Sequence, residues 1–555
     1  MKEWLKSGSP WIWLNGGAVA LCMIMVVGLI GLIAVRGFSH FWPADLVSIT
    51  VDQPGEEPQT VIGEVVRQET VTAAVARDSG MTVDEDVELV TRHLIKRGNR
   101  DQFSSDFAWF PGLYMGEWSY PEDIHMIERR EWGNFYGYPV TLQREGEQLL
   151  AADDEGFDSA LQESVQRSVD LHREIEAIER REVGRINTLL ERLRLDERRI
   201  ELEGLTGAAR ADEEARIAVE REVLNQEYAV LRDDLDALYD STLRDSLVME
   251  MSDGREVTIS LSEIVRVTAP NQLSVFGKLG QYFDRMWEFF TENPREANTE
   301  GGIFPAIFGT VTMVFVMSII VTPFGILAAI YLREYAKQGL MTRIIRISVY
   351  NLAGVPSIVY GVFGLGFFVY FLGGSIDEMF YEASLPSPTF GTPGLFWASL
   401  TLALLTLPIV IVSTEEGLAR IPSTVRQGSL ALGATKSETL WKVVVPLATP
   451  AMMTGLILAI ARAAGEVAPL MLVGVVKLAP TLPVDGVFPY IHLERKIMHL
   501  GFHIYDVGFQ SPNVEAARPL VYATALVLVM LIVVLNLTAI SIRNHLRERY
   551  RGESD

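Results

Sequence analysis

Long apolar runs stand at the two ends of this chain, and a long charged stretch separates them. A helix of about 20 apolar residues is long enough to cross a bilayer. The first run is followed by RGFSHFWP, which has no small-residue cleavage site, so we interpret it as a retained anchor. The pattern predicts six membrane-spanning helices, at roughly 12–35, 306–330, 347–372, 395–414, 450–475 and 519–541.

Basic residues are distributed unevenly among the short loops. Lys and Arg concentrate in 331–346, in 415–449 and in the C-terminal tail, whereas 373–394 has none. Because basic loops stay on the cytoplasmic side, both termini are predicted to be cytoplasmic and the charged stretch periplasmic. The 476–518 loop departs mildly from this rule, since it is predicted to lie outside yet carries Lys477, Arg495, Lys496 and Arg518. The pattern indicates a multi-pass membrane protein.

The charged stretch at 44–300 predicts a separate domain. It holds 55 acidic and 28 basic residues, a net charge of −27, whereas the remainder, with 16 acidic and 20 basic residues, carries +4. We therefore divide the chain into 1–43, 44–300 and 301–555. An acidic domain of this kind makes nucleic acid an improbable partner. Cys22 is the only cysteine, so no intrachain disulfide can form.

Within the insert, residues 158–245 are rich in Glu, Arg and Leu and poor in Gly and Pro. Apolar residues recur there at helical spacing in two stripes, which EGLTGAARAD at 203–212 separates. This predicts a long antiparallel, coiled-coil-like helical hairpin. The flanks predict strands: Pro54-Gly55 lies between β-branched runs, and residues alternate around Asp253-Gly254. The insert is thus predicted to be α+β.

No enzyme site follows from the sequence. The LGATKSET segment at 432–439 has Thr435 where a phosphate-binding loop needs glycine. His492, His499 and His503 share one loop, but we interpret them as solvated or packed rather than as metal ligands. We predict no catalytic residues, no metal and no cofactor in this chain.

A segment at 415–449 is too long for a simple turn and predicts two short helices broken at Gly433, the second stopped by Pro446. It resembles the coupling loop of importer permeases of the ATP-binding-cassette class, whose pattern is Glu-Ala-Ala, three residues, Gly, nine residues, Ile-x-Leu-Pro. Here Gln427, Gly428 and Ser429 take the first three places, and Gly433 and Pro446 match at the same spacing. The resemblance implies that this loop docks into an ATPase subunit.

Four further stretches narrow the resemblance: GGIFPAIFGTV, NLAGVPSIVYGVFGLGFFV, LTLALLTLPIVIVSTEEGLARIP and ARAAGEVAPL. They resemble the permeases of the phosphate importer (the Pst system), and the C-terminal NLTAISIRNHLRERYR resembles PstA more than PstC. The resemblance implies a mainly α, six-helix type I importer fold. It also implies a second permease, a separate ATPase dimer that hydrolyses ATP, and a periplasmic phosphate-binding protein. It covers span one and 301–551, and not the insert.

Arg462 and Glu466 lie within the predicted fifth span. A charge at the bilayer centre costs roughly 2.5 to 3.5 kcal/mol, so some interaction must offset the cost of placing these two side chains there. At a spacing of four the two share one helix face, although Arg before Glu is the weaker orientation. One interpretation is a structural ion pair. The other is that Arg462 meets phosphate on the transport pathway, and Glu466 positions Arg462 and weakens the site.

Two of the predicted spans contain residues that bend helices. Gly354 and Pro356 predict a kink inside span three, and Pro408 predicts one in span four.

Our interpretation of the whole sequence is a phosphate permease subunit. A PstC-like half or a permease for another oxyanion is the alternative within the class. A membrane-anchored sensor or envelope structural protein, with the hairpin as its working part, is the alternative outside it.

Overall fold

The computed structural model describes residues 9–53, 57–78, 80, 83, 87–103, 105–511 and 514–551. The chain forms two compact units. In the sequence, the insert separates the two segments that make up unit 1. Unit 1 comprises residues Met1–His40 and Ile303–Asp555, and unit 2 comprises Phe41–Gly302. Unit 1 begins with helix α1 (Ser9–Ser39), which contains the first apolar run.

Unit 2 contains two large antiparallel sheets and one pair of short antiparallel strands. The strands are β1 (Leu46–Val51), β2 (Gln59–Thr72), β3 (Leu89–Lys96), β4 (Phe107–Pro111), β5 (Met115–Ser119), β6 (His125–Arg129), β7 (Phe135–Arg144), β8 (Glu147–Ala151), β9 (Asp245–Glu250), β10 (Glu256–Ser260), β11 (Ile264–Thr268), β12 (Pro294–Arg295) and β13 (Glu300–Gly301). The first sheet has the order β4-β3-β2-β1-β5, the second has the order β10-β9-β7-β6-β11 with β8 added at β7, and β12 pairs with β13. Side chains alternate along the strands, and Ile49, Ile95 and Phe110 lie in the core of the first sheet.

The predicted β-hairpins have different outcomes. β9 and β10 pair antiparallel from Ser246↔Ser260 to Glu250↔Glu256, and Gly254 adopts a φ of +79° in the turn between them. This confirms the hairpin predicted at Asp253-Gly254, where a left-handed residue closes the turn. β1 and β2 also pair antiparallel, but the Pro54-Gly55 turn predicted between them lies outside the described residues.

The predicted helical hairpin is present in unit 2. One arm is α3 (Phe157–Ala177), a π-helical turn (Ile178–Val183) and α4 (Gly184–Leu202), and the other is α5 (Ala208–Thr242). Ile186, Leu193, Ile200, Ile217 and Leu224 form its apolar core. The pairs Arg185–Glu227 and Arg221–Glu197 show that the arms run antiparallel. Unit 2 also contains α2 (Ala73–Asp78) and α6 (Val275–Thr291).

Glu300 is expected to make the free energy of unfolding of unit 2 depend on pH. Burial raises the pKa of its carboxyl group to about 7, and Lys96 only partly offsets the effect. Its Oε2 is enclosed without a hydrogen-bond partner among the described residues. As pH rises, the unfolded chain loses this proton near its ordinary pKa of about 4.3, whereas the folded chain holds it until about 7. The free energy of unfolding therefore falls across this window, by roughly 3 kcal/mol.

Glu300→Gln is expected to remove this dependence, because the amide cannot ionise. At pH 8 the variant should be more stable than the wild type, and the difference should shrink towards pH 5. Thermal unfolding of the detergent-purified chain at both pH values measures this. Glu256→Gln is the control, since Glu256 is exposed at the start of β10. An equal pH response of wild type and Glu300→Gln would contradict the prediction.

Unit 1 contains the remaining helices. Six helices are long and apolar enough to cross a membrane in the described part of the chain: Trp11–Ser39, Phe304–Tyr335, Ser357–Phe380, Leu395–Ala419, Lys436–Gly465 and Ala517–His545. This confirms the six predicted spans. The elements are α7 (Phe304–Ile330), α8 (Leu340–Leu352), α9 (Ser357–Phe363), α10 (Gly374–Phe380), α11 (Leu395–Ala419), α12 (Ser423–Ala431), α13 (Lys436–Thr439), α14 (Val445–Gly465), α15 (Leu470–Val473), α16 (Leu500–Tyr505) and α17 (Val514–Arg551).

Helix α11 forms the centre of unit 1, because it packs on both α7 and α14. Leu402 and Val410 of α11 are buried against Met313 and Met317 of α7 and Ala459 of α14. Gly325 allows the approach of α7, since a Cβ there would meet Val410 Cγ1 at 2.6 Å. Pro408 lies inside α11 and is buried.

Two span boundaries differ from the prediction. The third span begins at Ser357 rather than near 347, because α8 ends at Leu352 and Pro356 precedes a new helix. The fifth span runs from Lys436 to Gly465 rather than from 450 to 475. Apolar composition cannot locate these ends, because apolar residues continue past Gly465 and the fifth span begins with polar residues, Lys436 to Thr439.

Candidate substrate pathway and coupling elbow

Arg462 lies in the last turn of α14, which ends at Gly465. The prediction that it lies near the middle of a helix is wrong. The C-terminal end of a helix carries partial negative charge, which favours a cation there. The Arg462 side chain is also 37% exposed, so it is not sealed in an apolar interior. Both facts lower the cost of keeping this charge.

Glu466 lies beyond the end of the helix. Its backbone has φ −80° and ψ 134°, an extended conformation. The prediction that Arg462 and Glu466 share one helix face is therefore wrong, but the two side chains still meet. Arg462 Nε lies 3.3 Å from Glu466 Oε1. The Glu466 N–H still donates to Ala463 O at 3.3 Å, so Glu466 closes the end of α14 while its side chain contacts Arg462.

The segment after Glu466 packs closely on the third span. A Cβ on Gly361 would meet Pro469 Cα at 2.7 Å, and one on Gly364 would meet Thr401 Oγ1 at 2.4 Å and Val473 Cγ1 at 2.9 Å. Only glycine fits such close approaches of backbone and side chain. These two glycines therefore let the third span approach Pro469 and α15, which follow Glu466 in the chain.

Gly361→Ala is expected to displace this segment and reduce transport by the assembled protein, because the added methyl group meets backbone atoms that cannot move aside. Gly366→Ala is the matched control in the same span, since no atom lies within 4 Å of its Cβ position. Thermal stability and uptake should fall for Gly361→Ala and stay near wild type for Gly366→Ala. Equal behaviour of the two variants would show that the close approach does not matter.

The predicted kink at Gly354 and Pro356 is wrong in its placement. These residues lie between α8 and α9 and not inside a span. Tyr360 Oη donates a hydrogen bond to Leu352 O across this break, at 2.5 Å. The third span thus begins at a break in the helix that this hydrogen bond bridges. Of the three residues predicted to bend spans, Pro408 lies inside a spanning helix.

A second ion pair of unit 1 was not predicted. Arg346 Nη2 of α8 lies 2.5 Å from Glu415 Oε1 near the end of α11, and the Glu415 side chain is 10% exposed. Sequence reasoning missed it because the partners are far apart along the chain. The available signal was Glu415 itself, an acidic residue directly after the apolar run of α11. The pair ties α8 to the central helix.

The predicted coupling loop contains two short helices joined by a turn, and we call residues 423–439 the elbow. α12 ends at Ala431, and Gly433 has a φ of +90°. A left-handed residue at this place is the usual way to end a helix, and glycine adopts it without strain. Thr435 then caps α13: its Oγ1 accepts from Glu438 N–H, and Thr435 N–H donates to Glu438 Oε2. The predicted break at Gly433 is present.

The elbow is fastened to the end of the second span. Arg426 donates to Glu334 Oε1 at 2.8 Å and to Leu418 O at 2.8 Å. Lys436 donates to Glu334 O at 2.6 Å and lies over the Tyr335 ring at 4.7 Å. Glu334, Arg426 and Lys436 also line a cavity of about 160 Å³. A movement of the elbow therefore acts directly on the second span.

The predicted docking residues differ in exposure. Gln427 and Gly428 are exposed, and Leu432 at the tip is 91% exposed. Ser429 is half-buried, since its Oγ lies 2.9 Å from Thr439 Oγ1. Ser429 thus links α12 to α13, whereas Gln427, Gly428 and Leu432 are available to a partner.

Pro446 does not stop a helix. Lys436–Gly465 continues through it as one spanning helix. A π-helical turn at Leu440–Val444 precedes Pro446, which lies in the first turn of α14. A proline ring clashes with the carbonyl four residues earlier in a regular α-helix, and the wider turn relieves this. The elbow is therefore continuous with the helix whose last turn carries Arg462.

The three histidines are packed inside unit 1. His492 Nε2 lies 2.9 Å from Asp485 Oδ1, and its Nδ1 lies 3.1 Å from Glu494 Oε1. Burial lowers the pKa of both His499 and His503 to about 4, so these two are neutral at pH 7. Among the residues that the structure describes, no three His, Cys, Asp or Glu side chains form a group suited to a metal.

Comparison with known proteins supplies the class. Residues 321–552 match the family described as "Binding-protein-dependent transport system inner membrane component". This match covers the elbow, Arg462 and Glu466. The matched description is that of an inner-membrane transport component, and the six apolar helices agree with a multi-pass protein of that membrane.

Individual relatives narrow the class. The chain is 34% identical over 251 residues to phosphate transport system permease protein PstA 1 of Mycobacterium tuberculosis (strain CDC 1551 / Oshkosh), which covers 44% of this chain and 71% of the relative. It is 32% identical over 252 residues to PstA of Yersinia pestis, covering 45% and 75%. A probable PstA of Methanocaldococcus jannaschii is 31% identical over 241 residues, covering 43% and 73%. The chain belongs to the PstA family of phosphate transport system permeases.

Family membership gives unit 1 the type I importer permease fold, to which unit 2 is added. A solved structure, the inward-facing MetNI methionine transporter, is 17% identical and covers 43% of this chain and 94% of its own, with a TM-score of 0.32. That score supports no further argument about this chain.

Proposed function

We propose that this chain is the permease subunit of an ATP-driven importer that moves inorganic phosphate across the inner membrane. Its membership in the PstA family carries the proposal. Both termini and the elbow face the cytoplasm in this proposal, and unit 2 faces the periplasm. A second, PstC-like permease completes the pore, a PstB-like ATPase dimer docks on the elbow and hydrolyses ATP, and a PstS-like binding protein delivers phosphate.

The elbow supports this assignment over a sensor or an envelope structural protein. It is capped at both helix ends, tied to the second span through Glu334, and continuous with α14. Such a rigid element transmits the closure of an ATPase to the spans. A sensor has no need of it. Gln427, Gly428 and Leu432 form its exposed face for the ATPase.

Arg462 and Glu466 are our candidates for the phosphate pathway. A guanidinium group donates charge-assisted hydrogen bonds to phosphate oxygens in a fixed planar geometry. The carboxylate of Glu466 competes for Arg462 at 3.3 Å. A transport site must bind well enough to admit the ion and weakly enough to release it. Glu466 positions Arg462 before phosphate arrives and replaces phosphate when it leaves.

Uptake of radiolabelled phosphate by cells that lack their own copy tests the proposal. The wild-type chain, expressed with its partner subunits, should restore uptake, and excess unlabelled sulfate should not compete. Competition by sulfate would favour a permease for another oxyanion. Restoration in cells that lack the PstC-like subunit instead would favour the PstC-like half. If the complex assembled normally but uptake were not restored, the assignment of phosphate as the substrate would be contradicted.

Unit 2 has a role of its own in the proposal. Its net charge of −27 repels phosphate, so phosphate capture falls to the separate binding protein. We propose that the helical hairpin contacts the binding protein, the second permease or an envelope component. Deletion of residues 158–245 should weaken partner binding or uptake. Unchanged uptake, assembly and partner binding would contradict this role.

A further inference from the structure

We propose that helix α6 lies in the surface of the lipid bilayer and inserts its apolar face into the outer leaflet, so that unit 2 is held on the membrane by a peripheral contact of its own. The argument starts from a stripe of large apolar side chains on α6. Phe276, Leu279, Phe283 and Trp287 recur at spacings of three and four, which places them on one face of the helix. They are 86%, 42%, 53% and 70% exposed, respectively. We call this face the α6 stripe.

The opposite face of α6 holds the helix on unit 2. Phe289 is buried, and its ring lies 5.2 Å from that of Phe41 in an edge-to-face contact. Lys278 pairs with Asp45, and Glu288 pairs with Arg266. The charged groups of α6 nearest these contacts are therefore engaged within unit 2, and the stripe is left as an apolar surface.

The connection to the first spanning helix indicates that lipid covers the α6 stripe. Phe41 follows the last residue of the first spanning helix, Ser39, by two residues. A chain extends by at most about 3.6 Å per residue, so Phe41 stays within roughly 7 Å of the end of that span. Phe41 contacts both Phe289 and Tyr282 of α6. The helix is thus tethered at the level where the bilayer meets water.

The composition of the stripe fits lipid at that level. Trp287 belongs to the residue types that concentrate at membrane interfaces, and Trp42, which is 44% exposed, lies 6.2 Å from Tyr282. Interfacial helices bury an apolar face about 5–10 Å into the boundary between headgroups and acyl chains. Three bulky aromatic side chains of the stripe have the reach for such a depth.

Spin-label accessibility in the full chain tests the proposal. Cys22→Ser removes the only cysteine, after which Phe283→Cys and, as a matched neighbour outside the stripe, Asp284→Cys each receive a nitroxide label. The protein is reconstituted into nanodiscs of phosphatidylethanolamine and phosphatidylglycerol. Collision rates with oxygen, which dissolves in lipid, and with a water-soluble nickel chelate are measured. Trp287→Cys repeats the test if Phe283→Cys does not fold.

Each outcome decides the proposal. A label at 283 that collides often with oxygen and severalfold less often with nickel than the label at 284 supports insertion into lipid. Nickel collisions as frequent as at 284 overturn it, because the stripe then faces water. Low collision rates with both reagents also overturn it, because the stripe is then covered by protein, such as a second subunit.

Discussion

Replacing Arg462 by glutamine is expected to abolish most phosphate uptake while leaving the assembled complex intact. Glutamine cannot supply the positive charge, and a hydrogen bond to a charged group contributes about 1.5–3 kcal/mol. Loss of two such bonds in the transport step lowers the rate by at least about a hundredfold. Uptake of radiolabelled phosphate at equal membrane levels, with ATPase association checked by co-purification, measures the effect.

Arg36→Gln is the matched control for this prediction. Arg36 also lies in the last turn of a spanning helix, α1, and it is exposed. Uptake by Arg36→Gln should stay near wild type. Normal uptake by Arg462→Gln would assign the Arg462–Glu466 pair a structural role. Loss of assembly by Arg462→Gln alone would point to the same conclusion.

Replacing Gly433 by valine is expected to uncouple ATP hydrolysis from transport. A φ of +90° is strained for a β-branched residue, by about 1–3 kcal/mol, so the elbow must rearrange. The Arg462 region is unchanged, and phosphate delivery should be normal. We expect weaker ATPase association and at least a severalfold loss of uptake. Co-purification of the ATPase subunit, together with uptake, measures both effects.

Gly428→Ala provides the control within the same elbow. Gly428 lies inside α12, where no atom lies within 4 Å of its Cβ position. Alanine is about 1 kcal/mol more favourable than glycine in a helix, and it restores the residue type of the family pattern. Coupling should be kept. If Gly433→Val and Gly428→Ala behaved alike, the left-handed turn would not be what positions the elbow.

The apolar pattern predicted the number of spans but not all of their ends. At Leu352 and Gly465 the chain stays apolar while the backbone leaves the helix, so hydropathy gives no signal there. The signals were local: Pro356 disfavours helix in the residue before it, and Gly465 weakens the helix ahead of Pro469. Conversely, Pro446 looked like a stop but is accommodated by a π-helical turn.

The candidate site could be predicted only in part, for a related reason. The elbow could be found because its glycine and helix caps are local in sequence. Arg462 and Glu466 could be paired because they are four residues apart, although the helix on which that inference rested ends between them. Arg346 and Glu415 could not be paired, since only the packing of α8 on α11 brings them together.

ATP-dependent transport by the purified complex shows directly whether this chain imports phosphate. The wild-type chain would be reconstituted into proteoliposomes with its PstC-like, PstB-like and PstS-like partners, and radiolabelled phosphate entry would be followed with and without ATP. Our account predicts phosphate entry that requires ATP and the binding protein and that falls to background with Arg462→Gln. ATP hydrolysis by a complete complex that moves no phosphate would contradict it.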